Sequence, residues 1–527
     1  MSESFVSSPI SSPPGPVSAP GPVKVAFVAL FSLTEPFFQM KQRLEQSVDA
    51  YFITSTMACY RQLLLLGVEP KRILNVARTR AQVRRLGQPD GEAPTESQQP
   101  LQQPSRQQWQ EQLLEQLQER IEEFERHGPT FSSIFMMSRF YRGENSAAVM
   151  HYMALTAIAI EEFLVENGVQ WVIAEPTNAV ELLATVVAKK IGIRFGNMGF
   201  ARLPHNRLLM FADIEERAYH PLAGAESIPR ALNAAAQWLD AYRQAPSRPS
   251  YFATQAAHRS IVALVGAGWR NLSLLAGALT GTDEINNFRF SDLVRLYARP
   301  YFAWVRRLVV RIHGERIHGG FEWTGSRPYA VYFLHVCPER SVDVVAPWFS
   351  NQLEVIRNLR RALPSRCDLL VKEHPSATGG QPLAFYRQLS RVPNIFLLHA
   401  GIDSRKLMAN AALISTISGT SALEAALLGT PALIFSSVFF SKLPLVFVCQ
   451  SPSELPAIVA RAVARKAIRD QEPAVEFVAD ILANSVASRW DGAGGLLPGE
   501  LIDSFCELLI RATQGSACQA ATAQKPE

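Results

Sequence analysis

Strand and helix signals alternate twice along this chain, first from Val23 to about Ala201 and again from Tyr329 to Phe435. The first series opens on the buried-strand run Val23-Lys24-Val25-Ala26-Phe27-Val28-Ala29-Leu30. It later repeats as a strand at Gln170–Ala174, a helix at Ala179–Ile191 and a strand at Ile193–Phe195. Strand, helix, strand in that order is a βαβ unit, which is parallel and right-handed in nearly every known case. The second series predicts strands at Tyr329–Leu334, on the run Asp368-Leu369-Leu370 before His374, at Ile395–Leu398, on Ala411-Ala412-Leu413-Ile414 and at Ala432–Phe435. Between them it predicts helices at Phe349–Leu363, Leu383–Leu389, Ser404–Ala411 and Ser421–Leu428. The fold class that follows is α/β: two Rossmann-like domains facing a cleft, joined by a largely helical middle region.

The boundaries follow from composition. Residues 1–22 are Ser/Pro-rich and cannot bury a core, so they read as a disordered tail. The N-terminal domain spans 23–214, with a Gln/Pro-rich insertion at about 87–105 that leads into a polar helix, Arg106–His127, read as solvated. Residues 215–325 lack strand signals and form the helical linker. The second domain covers 326–470, and 471–527 reads as C-terminal helices and tail.

A chain of 527 residues exceeds what one compact core holds. Its net charge of +5 is too small for that length to argue for nucleic acid. Six cysteines with no C-x-x-C pair fit free thiols in a reducing compartment, and ten histidines without an H-x-x-x-H pattern give no metal site. No secretory signal stands at the start, and no stretch of about 18 uncharged apolar residues offers a membrane span. The expected location is the cytoplasm.

Two segments at strand ends carry the chemistry. Lys372-Glu373-His374-Pro375 follows one predicted strand, and Ser415-Thr416-Ile417-Ser418-Gly419-Thr420-Ser421 follows another and opens a helix. Ligands of open α/β sheets bind outside the carboxyl ends of the strands. The turn at Ser418, Gly419, Thr420 and Ser421 offers backbone N–H groups, hydroxyls and the positive end of a helix dipole to a phosphate. Its alternative is structural, because Glu424 three residues after Ser421 makes a capping box. Lys372 and His374 share one side of their strand end and suit a phosphate leaving group, without a metal. The plainer reading of His374 is a loop histidine bonded to backbone.

Here the chain resembles the capsule polysaccharide biosynthesis family of bacterial glycosyltransferases. The likeness rests on Tyr332 through Glu339, Gln352-Leu353-Glu354-Val355-Ile356, Lys372-Glu373-His374-Pro375, Ser418-Gly419-Thr420 through Glu424-Ala425, and Gly429 through Phe435. The same His-Pro and Ser/Thr pattern is similar to that of Kdo and sialic acid transferases using CMP-sugars and of CDP-glycerol glycerophosphotransferases. The resemblance implies a GT-B architecture, with an acceptor domain first and a nucleotide-sugar domain second. It implies that Lys372 and His374 contact the donor phosphate and that Ser418, Gly419, Thr420 and Glu424 surround the nucleotide. Family members often carry a Gln-containing stretch before the Pro-Glu pair, where this chain has His335 and Cys337. His335 and Glu339 are therefore donor-site candidates with open roles.

Sugar transfer needs a carboxylate to take the acceptor proton. Glu175, ending an N-terminal strand, is the first candidate, and Glu35, after the first strand, is the second. Each is equally readable as a turn or helix-start carboxylate, with Asn178 and Glu181 capping the helix that follows. Between Tyr301 and Ile312, Arg306, Arg307 and Arg311 oppose an aromatic and aliphatic arc. That helix suits either the anionic cytoplasmic face of the inner membrane or a protein interface. The expectation is a metal-independent glycosyltransferase with a nucleotide-sugar donor, no bound cofactor, and a surface-polysaccharide or lipid-linked acceptor. A CDP-glycerol-type phosphotransferase, a UDP-sugar 2-epimerase and a non-catalytic assembly subunit are the alternatives on the same fold.

Overall fold

The computed structural model describes residues 21–77, 117–138, 141, 146–224, 228–246, 327–337, 339–374, 381–398, 402–464, 472–488 and 499–523. The insertion at about 87–105, the segment 301–312 and Pro375 lie outside these residues.

Thirteen strands among the described residues form two sheets. Seven make the first: β1 (Val23–Val28), β2 (Val48–Thr54), β3 (Ile73–Asn75), β4 (Trp171–Ile173), β5 (Arg194–Phe200), β6 (Arg207–Phe211) and, from far along the chain, β13 (Val486–Ala487). The second holds β7 (Tyr329–Phe333), β8 (Asp368–Lys372), β9 (Ile395–Leu398), β10 (Leu413–Ser415), β11 (Ala432–Ile434) and β12 (Val446–Val448). The orders are β13-β6-β5-β4-β1-β2-β3 and β12-β11-β10-β7-β8-β9. The second sheet is parallel throughout, and the first is parallel from β3 to β5 with β6 and β13 antiparallel at its edge. The two halves are thus Rossmann-like α/β domains.

Unbroken apolar runs form these strands because both faces are covered. In β1 and the residue pair after it, Val25, Phe27 and Ala29 enter one core cluster while Ala26, Val28 and Leu30 enter the opposite one. In β7 the faces divide the same way, with Tyr329 and Val331 on one side and Ala330 and Tyr332 on the other.

Each sheet has one place where strand order reverses. Chain order runs outward from β1 to β3 and then jumps to β4 on the other flank of β1. In the second sheet it runs from β7 to β9 and then jumps to β10 on the other flank of β7. Helices on either side of a reversal leave in opposite directions, so a crevice opens between the strand ends there.

Residues 472–488 and 499–523 tie the two domains together. The helix Glu472–Ala483 packs Ala474, Phe477, Val478 and Ile481 against Ala231, Ala235, Leu239 and Tyr242 of the helix Ile228–Gln244, over the face of the second sheet that carries Val331 and Ile414. The chain then returns to the first domain, pairing β13 with β6. Its last helix, Gly499–Ala523, buries Leu501, Ile502, Leu508 and Leu509 with Phe37, Phe38, Leu208 and Met210. The apolar run Leu208–Phe211 needs such cover on one face, while Leu209 and Phe211 on its other face join the second domain's core.

The polar helix is not wholly solvated. Ile121 and Phe124 are buried, and Arg120 and Lys190 form ion pairs with Glu123 and Glu161 around the Phe124 ring. Three apolar residues at helical spacing (Leu117, Ile121, Phe124) suffice to dock a helix that is charged elsewhere.

Candidate functional site

The ends of three neighbouring strands, β10, β7 and β8, hold most of the sequence-predicted donor residues. His335 and Glu339 follow β7, Lys372 and His374 end β8, and Thr416 to Ser421 follow β10. The crevice between β7 and β10 is the reversal point of the second sheet.

His335 is its centre. Its backbone is gripped by the Gln352 side-chain amide, whose oxygen accepts the His335 N–H at 2.8 Å and whose nitrogen donates to the His335 carbonyl at 3.1 Å. On the ring, Nε2 lies 2.8 Å from Thr416 Oγ1 and 3.5 Å from the Ser418 N–H. Nδ1 lies 3.2 Å from Ser341 Oγ and 3.6 Å from Glu339 Oε2. An Nε2 that accepts from Ser418 requires the proton on Nδ1, where the Glu339 carboxylate stabilises it. His335 therefore orients the Ser/Thr turn, with both ring nitrogens already engaged. Burial raises the Glu339 carboxyl, but the hydrogen bond and charge of His335, with Ser341 and His374, bring it below the usual carboxylate range.

The turn carries the anion-binding features. The helix Thr420–Leu427 starts from Gly419 with no side-chain cap, so the alternative reading, a Ser421–Glu424 capping box, does not hold. Among the described residues, no hydrogen bond occupies the N–H groups of Gly419, Thr420 or Ser421. Half-buried N–H groups at a helix start seek an external acceptor, and a phosphate supplies one. Ser418 is committed elsewhere: it is fully buried and its hydroxyl donates to the Ser341 carbonyl at 3.0 Å. Glu424 sits a turn further along, where its charge is felt by Tyr242 of the helix Ile228–Gln244. A Cβ on Gly419 would lie 2.7 Å from Thr416 Oγ1 and 3.3 Å from the His335 ring, so only glycine lets the chain pass this close.

His374 and Lys372 differ from the simple cationic pair that their spacing suggests. Burial lowers the His374 imidazole below its ordinary value, the Glu339 charge partly restores it, and His335 and Lys372 lower it again, so it is neutral at neutral pH. Lys372 is 1% exposed, with Nζ 3.5 Å from the Glu373 carbonyl. It lies under the strand end and acts on the crevice through its charge. Glu373 turns to the other side and accepts from Tyr386 Oη at 2.5 Å.

The two candidate bases lie in the other domain. Glu175 is exposed at the end of β4, on the reversal point of the first sheet. Glu35, exposed in the first turn of the helix Thr34–Arg43, lines a surface hollow with Gln39, Arg43 and Leu66 and accepts from Gln39 at 3.4 Å. Neither joins the His335 cluster. Glu181 is the buried cap of its helix: Oε2 accepts the Thr177 and Asn178 N–H groups at 2.8 Å and the Thr177 hydroxyl at 2.9 Å. Burial, with Glu175 nearby, pushes its carboxyl up to about 8 against the pull of those donors.

Three site residues that sequence reasoning missed, Arg202, Glu216 and Arg340, come from outside the motif segments. Arg202 Nη1 donates to the Ser418 carbonyl at 2.6 Å, and Arg340 pairs with Glu216, which Arg202 also holds. No local pattern marks Arg202 or Glu216. The strand signal of Leu208–Phe211 is the only hint that the chain there turns toward the second domain. Among the described residues no group of three or more His, Cys, Asp or Glu side chains is placed to hold a metal ion, and no helix is long and apolar enough to cross a membrane. The five cysteines whose side chains are described are free thiols.

A sequence model of the family described as capsule polysaccharide biosynthesis protein matches residues 174–445, just over half of the chain. The chain belongs to that family. The matched span of this capsule-family protein runs from the end of β4 to the loop before β12 and contains every donor-site residue named above. Comparison with curated proteins gives no match. Among solved structures, the capsule-family chain is similar to a KpsC β-Kdo 2,7-transferase of Thermosulfurimonas dismutans (12% identity, 68% of this chain and 89% of that chain, TM-score 0.30). It is also similar to the β-Kdo 2,4-transferase of KpsC from the same organism (12% identity, 64% and 88%, TM-score 0.33). A third is a UDP-GlcNAc 2-epimerase of Methanocaldococcus jannaschii (13% identity, 87% and 99%, TM-score 0.24).

Proposed function

We propose that this capsule-family protein is a glycosyltransferase that moves a sugar from a nucleotide-activated donor to a surface-polysaccharide or lipid-linked acceptor. The observation that carries the reading is the open N-terminus of the helix Thr420–Leu427 at the β7–β10 reversal point, with His374 at the next strand end. The N–H groups of Gly419, Thr420 and Ser421 bind the donor phosphate. His374 donates a hydrogen bond to it from a neutral ring, and the Lys372 charge beneath stabilises the phosphate as it leaves. Donors fixed in advance stabilise that developing charge without a metal ion and without reorganising. Glu339, ionised at the mouth of the site, accepts from sugar or ribose hydroxyls. Across from it, Glu175 takes the proton of the attacking acceptor hydroxyl, with Glu35 as the second candidate.

The test is a calorimetric titration of the full chain with CMP, CDP, UDP and GDP, with and without EDTA. Binding of one nucleotide that is insensitive to EDTA and lost in His374→Ala supports the reading. Equal, weak or absent binding of all four sinks it.

A further inference from the structure

Arg202 stands at the end of β5 in the first domain, yet its guanidinium lies against the donor turn of the second. Nη1 donates to the Ser418 carbonyl and Nη2 to Glu216 Oε2, each at 2.6 Å. The other Glu216 oxygen is held by Arg340 Nη1, and Arg340 Nη2 donates to the Ile214 carbonyl at 2.8 Å. The Glu216 backbone carbonyl in turn accepts the Phe439 N–H at 2.7 Å, and the Arg202 guanidinium lies 5.7 Å and 5.4 Å from the Phe439 and Phe440 ring centres. Glu216 is 7% exposed. Burial raises its carboxyl, but the two arginines more than offset this and keep it below the usual range, so it is an anion between two cations. Arg202 and Glu216 both have positive φ, 66° and 60°, a conformation that costs energy in residues with a Cβ. Tertiary contacts must hold both in it.

A trans peptide unit is planar, with its carbonyl and N–H pointing in opposite directions. Fixing the Ser418 carbonyl on Arg202 therefore fixes the Gly419 N–H on the other side of the same plane.

We infer that Arg202 is a positioning residue that sets the Ser418–Gly419 peptide, and that Glu216 and Arg340 make this setting depend on the two domains being docked. Separation of the domains breaks the Ser418 and Arg340 links together, so the Ser418–Gly419 peptide loses its outer anchor and keeps only the His335 and Ser341 contacts of Ser418. The effect on donor binding rests on the function proposed above; the ordering of the turn does not.

Hydrogen exchange by mass spectrometry on the ligand-free full chain tests the ordering directly. The reporters are the Ala422 N–H, bonded to the Gly419 carbonyl at 3.1 Å, and the Phe439 N–H, bonded to Glu216. In Arg202→Met both are expected to exchange roughly tenfold faster or more while peptides of β1 stay unchanged, with Arg202→Lys intermediate. Arg340→Met leaves the Arg202–Ser418 pair chemically intact and is expected to show the same acceleration, which keeps the inference testable if Arg202→Met fails to fold. Unchanged exchange at both reporters in folded variants overturns it. For whichever nucleotide the wild type binds, Arg202→Met weakens affinity by roughly tenfold, and its effect combines non-additively with that of Gly419→Ala. Additive effects overturn the route through the turn. A wild type that binds no nucleotide removes the donor reading, and the exchange result still decides the docking link.

Discussion

His335 Nε2 lies 2.8 Å from Thr416 Oγ1, although the two residues are 81 positions apart. The contact exists because β7 and β10 are hydrogen-bonded neighbours in the sheet, with Tyr332 in register with Ser415. Thr416, one residue beyond β10, and His335, two beyond β7, meet across the crevice. The histidine that the sequence leaves as a donor-site candidate with an open role is thus a scaffold for the turn, and the turn's own N–H groups are left to bind.

Thr416→Val keeps the shape of this side chain but removes its hydroxyl. The variant is expected to lose about 1–2 kcal/mol of stability in denaturant unfolding, the cost of leaving a buried partner unsatisfied. Nucleotide affinity should fall with it. An unchanged midpoint and affinity together would remove His335 from the orienting role.

Gly419→Ala introduces a Cβ 2.7 Å from Thr416 Oγ1. Overpacking of this kind costs about 1–3 kcal/mol and displaces the turn. Donor binding is expected to drop more than stability does. A variant that binds as well as the wild type would show that the close passage at this glycine has no bearing on the ligand.

Burial lowers His374, His151 and His220 below the ordinary imidazole value. The unfolded chain therefore takes up these protons first as pH falls, and the folded state loses stability from about pH 6.5 downward. Above that value neither state carries the protons and this contribution is flat. His374→Gln removes one titrating group, so its unfolding free energy should fall less steeply than the wild type's between neutral and mildly acidic pH. Parallel curves for the two proteins would contradict the burial of the His374 ring.

Glu175→Gln removes the proposed base while keeping size and hydrogen-bonding shape. With the cognate donor and acceptor, kcat is expected to fall by about 10²-fold or more with nucleotide affinity unchanged. Glu35→Gln should leave kcat close to wild type. The reverse ranking would move the base to Glu35.

Much of the second domain is legible locally. The strand Ile395–Leu398 and the helix Leu383–Leu389 appear at the residues that their patterning predicts, and the helix Gln352–Ala362 lies inside the longer span expected for it. Each is set by apolar spacing over a few turns. β6 and β13 are less visible, since a five-residue and a two-residue strand on a mixed edge take their stability from the helix Gly499–Ala523 and from the second domain. The polar helix hides its docking face for the same reason: two buried residues and the partly buried Leu117 are outvoted by the charges around them.

The sequence by itself determined that two α/β units exist, that Lys372, His374 and the Ser418–Ser421 turn stand at strand ends, and that a glycine marks the turn. Spacing and residue type are local properties, and they suffice for such conclusions. Only the tertiary structure decided which groups face a ligand. It buried Lys372, lowered His374 and brought Arg202 to the Ser418 carbonyl from 216 residues away. Burial, charge proximity and strand order are properties of the packed chain, and no short window of sequence contains them.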